Sequence, residues 1–198
     1  MNKLMGFFEL NDISLPTIPW REYRPDVELS DTYLWTIRSA VIYGNDLNLP
    51  RLVGKDSSEA KKFADELYGK IKDHGMVIYY PYFIAEKSGT LNVYRNKTVI
   101  EAVKEDLWNL VTNQDIDTSL VFDNEDNLIT TNGKRDFLTE NEIFELLKYA
   151  KKIRGIYRNE IIEGNTLLLE WSYAFSCDKN KVPIGNPYLV FYEVRTTK

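Results

Sequence analysis

The sequence predicts an α+β domain with a mostly antiparallel sheet and two main helices. Two segments repeat apolar residues at helical spacing, and each begins with a helix-start signal. Several runs of β-branched and aromatic residues are separated by short polar turns, as in consecutive hairpins. A length of 198 residues and a hydrophobic fraction of 43% suffice for one domain with a real core.

The chain divides into two predicted parts. Residues 1–32 are expected to form an irregular N-terminal arm, because Pro16, Pro19 and Pro25 break helices and favour extended backbone. Residues 33–198 are expected to form the folded domain. The arm is predicted to wrap this domain or to contact a partner.

The first half of the domain is predicted to contain two strands and one helix. Residues 33–38 have strand composition, and the glycine- and proline-containing segment 39–56 predicts a long loop. A helix is predicted over 57–73, where apolar residues recur at a spacing of four. The apolar run MVIYYPYFI at 76–84 predicts a strand, in which Pro81 lacks a ladder donor.

The second half is predicted to consist mainly of hairpins around a second helix. Thr139 and Glu142 form a capping-box pattern, a hydroxyl followed three residues later by a carboxylate. The helix is expected to reach about Arg154 and to stop at Gly155, and 105–111 is a predicted short helix. The remaining strands are predicted at 90–94, 97–103, 119–122, 128–131, 166–173 and 188–195.

The composition excludes several kinds of site. Cys177 and His74 are the only cysteine and histidine, so a cysteine–zinc cluster is excluded and no histidine-activated nucleophile is indicated. The net charge of −5 does not favour nucleic acid as a partner. No apolar run approaches the roughly 18 residues of a membrane helix, so we expect no membrane contact and a cytoplasmic location. An active site is expected to consist of carboxylates and arginines.

Four charged side chains are predicted to meet. Arg38 ends a strand and can direct a guanidinium fork at a phosphate, while Glu170 lies within LLLEW and needs a partner there. Glu193 and Arg195 share a strand face because side chains alternate. If the last two strands pair antiparallel, the two carboxylates lie side by side and repel unless a cation lies between them. Magnesium takes one or two carboxylates plus substrate phosphates, so the set suits a nucleotide–metal site.

Simpler interpretations stay open at this point. Arg38 alone also fits a surface ion pair. Glu170 and Glu193 also fit a strand pair that carries its charges on a solvated face. Tyr80 and Tyr82 fit either stacking on a base or a strand with one buried face.

The order of these elements resembles the ATP-binding, ATP-grasp-type domain of phosphoenolpyruvate synthase and pyruvate phosphate dikinase. The resemblance covers about residues 35–195 and consists of short matches in the family's order. They are IRSA at 37–40, the hinge strand at 76–84 with SGTL at 88–91, VIEAV at 99–103, the capped helix from 138 to 152, EW at 170–171 and EVR at 193–195.

The resemblance implies ATP and Mg²⁺ as cofactors. It implies that Arg38 and Arg195 contact phosphates and take part in catalysis. It also implies Glu170, and with it Glu193, as metal ligands. The implied nucleotide contacts are Arg38, Tyr80, Tyr82, Glu101 and Arg195.

The chain also departs from that family. Glu193 replaces a glutamine, VKEDL at 103–107 replaces a tryptophan- and glycine-rich segment, and no phosphate-holding glycine–lysine segment occurs in 1–32. The resemblance implies an ATP-dependent phosphotransferase or ligase with an unknown acceptor. The family's phosphocarrier histidine domain and pyruvate-binding barrel have no counterpart in this sequence, so we expect a protein partner to supply them. The alternative is a non-catalytic relic of the fold that acts as a protein-interaction module, with Trp20 and Tyr23 exposed for docking.

Overall fold

The computed structural model describes residues 1, 3–42, 49–107 and 116–198. The helices in these residues are α1 (Lys3–Asp12), α2 (Ser57–Ile71), α3 (Glu140–Ile156) and α4 (Arg158–Ile162). The strands are β1 (Arg21–Glu22), β2 (Trp35–Val41), β3 (Arg51–Lys55), β4 (Gly75–Pro81), β5 (Phe83–Val93), β6 (Thr98–Lys104), β7 (Thr118–Phe122), β8 (Leu128–Gly133), β9 (Thr166–Cys177) and β10 (Pro183–Thr197).

The strands form two antiparallel sheets, and α2 and α3 are the two long helices, so the predicted α+β class is confirmed. The small sheet has the strand order β1-β4-β2-β3, and the large sheet has the order β10-β9-β5-β6-β7-β8. The predicted hairpins are β5–β6 and β7–β8. The predicted closing strands are β9 and β10, which pair from Thr166 opposite Thr197 to Cys177 opposite Pro183.

The chain passes from the small sheet to the large one at Tyr82. β4 ends at Pro81 and β5 begins at Phe83, so the prediction of one strand over 76–84 is wrong. Proline cannot donate to a ladder, and it stands where β4 stops. The Tyr82 N–H donates instead to the carbonyl oxygen of Leu34, at 2.8 Å. The two sheets are therefore joined through a single residue at this point.

The N-terminal segment is more regular than predicted. Residues 1–32 were expected to be irregular, but they contain α1 and the short strand β1. Phe7 and Leu10 of α1 lie three residues apart and are each 1% exposed. The three prolines of the segment follow α1 in the sequence, so they do not interrupt it. The segment contributes residues to each hydrophobic cluster of the described chain.

Each of the two long helices packs on a different sheet. α2 packs on the small sheet, and α3 packs on one face of the large sheet. Asp56 caps α2 by accepting a hydrogen bond from the Glu59 N–H, at 2.8 Å. The expected stop at Gly155 is wrong, because α3 continues to Ile156. A side chain at Gly155 would meet no atom within 4 Å, so this glycine is not needed for packing.

Two other predicted segments have mixed outcomes. The loop predicted over 39–56 contains β3, and residues 43–48 lie outside the described chain. The predicted helix over 105–111 lies partly outside it as well, and its first residues, 105–107, are not helical. None of the helices in the described ranges is both long and apolar enough to cross a membrane.

Removal of the α3 cap is expected to destabilise the domain by about 1 kcal/mol. The Thr139 hydroxyl accepts a hydrogen bond from the Glu142 N–H at 3.3 Å, and the Glu142 carboxylate accepts one from the Thr139 N–H at 2.7 Å. Thr139→Ala removes the first bond, whereas Thr139→Ser keeps the hydroxyl. Urea unfolding should show the loss for alanine only, and equal midpoints for the two variants would argue against the cap.

Candidate functional site

A cleft of about 640 Å³ lies between the two sheets. One wall comes from β2, β3 and β4, and the other comes from β5, β9 and β10. Of the seven side chains singled out from the sequence, six line this cleft. They are Arg38, Tyr80, Tyr82, Glu170, Glu193 and Arg195. We call Arg38, Glu170, Glu193 and Arg195 the charge cluster.

The two carboxylates of the charge cluster lie side by side. Glu170 of β9 and Glu193 of β10 are direct partners in the antiparallel register. Direct partners project from the same face of a sheet, and here that face lines the cleft. The neighbouring residues Leu169 and Val194 project from the other face, into the core beneath α3.

A β-bulge at Tyr192 turns Glu193 towards the cleft. Phe191 pairs with Trp171 and Glu193 pairs with Glu170, so Tyr192 is the extra residue on β10. In a regular strand Glu193 would share the face of Phe191, because side chains alternate. Phe191 is fully buried in the core beneath α3. The bulge therefore keeps a carboxylate out of the apolar core.

Arg38 bridges the two walls of the cleft. It projects from β2, and its Nη2 lies 3.2 Å from Oε2 of Glu193. The two side chains are 12% and 1% exposed, so this ion pair is not the surface pair that the sequence left open. Burial lowers the pKa of the Arg38 guanidinium, but its interactions with Tyr80 and with the carboxylates of Glu193 and Glu170 outweigh burial and raise the pKa overall. Arg38 is therefore a permanent cation in a buried position.

Arg195, on β10 of the large sheet, contacts both carboxylates of the charge cluster. Its Nε lies 3.9 Å from Oε1 of Glu193, and its Nη2 lies 4.0 Å from Oε1 of Glu170. These are longer contacts than that of Arg38, and the side chain is 30% exposed. Its Nε is buried and makes no hydrogen bond to the residues that the structure describes. Arg195 thus has donor capacity left for a ligand.

The donors of the charge cluster suit a hard cation such as Mg²⁺. Glu170 and Glu193 offer only carboxylate oxygens, the ligand type that magnesium prefers. Within the described ranges no three His, Cys, Asp or Glu side chains form a metal-holding group. A protein cage is not required for Mg²⁺, which keeps several waters and shares phosphate oxygens of its substrate. These residues therefore fit a metal that enters together with a phosphate ligand.

Aromatic and apolar side chains line the rest of the cleft. Tyr80 is 5% exposed and stacks on Phe83, with ring centroids 6.3 Å apart. Burial raises the pKa of the Tyr80 hydroxyl despite the opposing charge of Arg38, so the hydroxyl stays protonated. Burial likewise raises the pKa of Tyr82. Ile84 extends this apolar surface, which is of the kind that receives a flat ring.

Glu101 does not join the other predicted residues. It lies on β6, two strands away from Glu170 across β5, so the two are separated by roughly 10 Å. Its Oε2 accepts a hydrogen bond from the Thr90 hydroxyl, at 3.0 Å. Glu101 shares the cleft-facing side of the sheet, but it is not among the residues that line the cleft.

Sequence reasoning missed Arg51 as a cleft residue. Arg51 of β3 is the direct cross-strand partner of Arg38, and it lines the cleft. Like charges directly opposite each other destabilise a strand pair, and here the Glu193 carboxylate offsets the charge of Arg38. The segment was assigned to a loop because β3 is short and follows a glycine- and proline-containing stretch, so no periodicity pointed to the pairing.

Tyr23 is not available to the docking surface predicted on the N-terminal arm. Tyr23 is fully buried, and its hydroxyl donates to Oδ1 of Asp65 on α2, at 2.7 Å. Trp20 is half-buried and packs edge-on against Phe7 and Phe8. The expectation that Trp20 and Tyr23 are exposed is therefore wrong for Tyr23, because its ring fills the space between the arm and α2.

None of the protein-family models and none of the curated proteins matches the chain. Among solved structures it is similar to N5-carboxyaminoimidazole synthetase from Staphylococcus aureus complexed with ADP, with a TM-score of 0.49 and 12% identity over 98% of this chain and 43% of that one. The L-amino acid ligase from Bacillus licheniformis has a TM-score of 0.49 and 15% identity, over 98% of this chain and 39% of that one.

A third similar structure is carboxyaminoimidazole ribonucleotide synthase from Aspergillus clavatus complexed with ATP. Its TM-score is 0.43 and its identity is 12%, over 97% of this chain and 44% of that one. The chain spans less than half the length of each of the three proteins. At TM-scores below 0.5 these similarities do not show which fold family the chain belongs to, so the chemistry of the cleft must be inferred from its own residues.

Proposed function

We propose that the cleft binds ATP together with Mg²⁺ and that the chain is an ATP-grasp-type nucleotide-binding domain. The observation that carries this proposal is the convergence of Arg38, Glu170, Glu193 and Arg195 in one cleft. Arg38 comes from β2, whereas the other three come from β9 and β10 at the far end of the sequence. A solvated strand pair would not need a buried guanidinium from a second sheet beside its carboxylates.

The guanidiniums are proposed to hold the phosphate chain. Arginine presents a planar fork of donors that matches phosphate oxygens in pairs. Arg38 lies on one wall and Arg195 on the other, so a phosphate chain between them would be held from both sides. Arg51 stands opposite Arg38 in the β2–β3 register and adds a second cation on the first wall.

Glu170 and Glu193 are proposed to hold Mg²⁺ against the phosphates. The carboxylates would repel a phosphate chain bound at the arginines unless a cation lay between the carboxylates and the phosphates. Bound Mg²⁺ would neutralise phosphate charge and polarise the transferred phosphoryl group. The two carboxylates would then bind the metal in place of some of their contacts with Arg38 and Arg195. The guanidiniums would thereby become available to phosphate oxygens.

The aromatic end of the cleft is proposed to hold the base. Tyr80, Tyr82 and Phe83 supply flat apolar surface next to the crossing between the sheets. The cleft volume of about 640 Å³ lies within the roughly 300–1,000 Å³ of small-molecule sites. Base, phosphates and metal would thus occupy one continuous space.

The proposed reaction class is phosphoryl transfer by a phosphotransferase or ligase. In such reactions arginines and metal offset the phosphate charge, and no protein nucleophile is required. The finer proposal is a compact relative of the nucleotide-binding domain of phosphoenolpyruvate synthase. The acceptor, and the protein partner that presents it, would come from outside this chain, and the location is proposed to be cytoplasmic.

Calorimetry with ATP tests the proposal. We expect saturable binding in the presence of Mg²⁺ and a large loss of affinity with EDTA. Glu170→Gln should weaken binding by roughly 30-fold or more, the equivalent of about 2 kcal/mol, because the metal loses a charged ligand. Glu66→Gln makes the same chemical change at an exposed position of α2, and this variant should bind ATP like the parent protein. The absence of heat from the parent protein at millimolar ATP and Mg²⁺ would rule the proposal out.

A further inference from the structure

Helix α1 touches residues from both walls of the cleft. Phe7 is 1% exposed, and the Cζ atom of Arg38 lies 5.6 Å from the centroid of its ring. Gly6, the preceding residue, lies against Val194 of β10. Val194 stands between Glu193 and Arg195 in the sequence. A single turn of α1 therefore contacts the strand of each guanidinium of the charge cluster.

The approach of α1 to β10 depends on glycine. A Cβ atom at Gly6 would lie 2.0 Å from the carbonyl oxygen of Val194, far inside the usual contact distance. The colliding atom belongs to the backbone, which cannot turn away as a flexible side chain can. Only glycine lets the helix lie this close to the strand, and the neighbouring Phe7 ring reaches Arg38 as a result.

Other contacts hold α1 in this position. The Tyr157 hydroxyl donates to Oε2 of Glu9, at 2.6 Å. The Trp20 ring packs edge-on against Phe7, with centroids 5.7 Å apart. Beyond the helix, the Phe191 N–H donates to the Pro16 carbonyl oxygen at 2.7 Å, so the following segment is bound to the edge of β10. The Phe7 ring is thus fixed relative to both sheets.

We infer that α1 supports the nucleotide site from outside the cleft and that Phe7 positions Arg38 for the phosphate chain. This inference rests on the proposed function. A guanidinium is attracted to the face of an aromatic ring, and the attraction is stronger where water is excluded. Arg38 lies between the Phe7 ring and the Glu193 carboxylate. If Glu193 binds a metal ion, the Phe7 ring would still hold the Arg38 guanidinium in place.

Fluorinated phenylalanines at position 7 test this role. Added fluorine withdraws electron density from the ring and weakens its attraction for a cation, while ring size stays nearly constant. We expect the affinity for ATP with Mg²⁺ to fall stepwise from one to several fluorines, by roughly 5-fold across the series. The same series at Phe122 is the control, because that ring is buried in the core beneath α3 and away from the cleft.

The outcomes separate this inference from the proposed function. A stepwise loss at position 7 with unchanged affinity at position 122 supports the role of Phe7. Constant affinity across the Phe7 series, or an equal loss in both series, overturns it and leaves the nucleotide site standing. If the parent protein binds no ATP, both the proposed function and the role of Phe7 are overturned.

Discussion

Replacement of Arg38 with methionine is expected to lower the free energy of unfolding by about 3 kcal/mol. The variant leaves the Glu193 carboxylate, which is 1% exposed, without its nearest guanidinium. Arg195 lies at 3.9 Å and compensates in part, so the expected loss is at the lower end for a broken buried pair. Urea unfolding followed by circular dichroism measures it.

The double variant decides whether the loss comes from the ion pair. Glu193→Leu alone should cost a similar amount, because it leaves the Arg38 cation buried. Arg38→Met with Glu193→Leu removes both charges, and Arg195 can still pair with Glu170. The double variant should therefore be more stable than the sum of the single losses predicts, by about 2 kcal/mol. Additivity within about 0.5 kcal/mol would show that the pair carries no coupling.

Gly89→Ala is expected to destabilise the domain by about 3 kcal/mol or more, or to prevent folding. Gly89 lies in β5, opposite Ala102 of β6 and Trp171 of β9. An added Cβ atom would lie 2.0 Å from the Glu101 carbonyl oxygen and 2.5 Å from a Trp171 ring atom. Neither can yield, because one is backbone and the other is a fully buried ring. Thermal unfolding of the purified variant gives the magnitude.

Gly69→Ala is the matched control. Gly69 lies in α2, and a Cβ atom there would meet nothing within 4 Å. Alanine is the better helix former, so this variant should gain roughly 1 kcal/mol. Opposite signs for the two glycine-to-alanine changes are expected. A Gly89→Ala protein as stable as the parent would mean that β5, β6 and β9 do not pack as described.

The antiparallel pairing of β9 with β10, which carry Glu170 and Glu193, could be expected from sequence because its determinants are local. Each carboxylate lies in a run of apolar and aromatic residues, and the two runs are the last predicted strands, joined by a polar turn. Antiparallel neighbours follow from that order. The capping box at Thr139 is local in the same sense, since both of its partners lie within one helical turn.

Other parts of the site depend on long-range contacts that no local pattern encodes. The bulge at Tyr192 exists because Glu193 is excluded from the core beneath α3, which requires the packed sheet. Helix α1 has exposed Met5 and Phe8 beside buried Phe7 and Leu10, so its apolar residues do not form the single stripe that predicts a helix. It is stabilised by β10, which lies at the other end of the chain.

A crystal structure with Mn²⁺ and a non-hydrolysable ATP analogue is the most direct test of the central claim that the charge cluster surrounds one nucleotide. The account predicts an anomalous manganese peak at coordination distance from a carboxylate of Glu170 or Glu193, with the phosphates between Arg38 and Arg195. Manganese and nucleotide bound elsewhere, with the Arg38–Glu193 ion pair undisturbed, would contradict it.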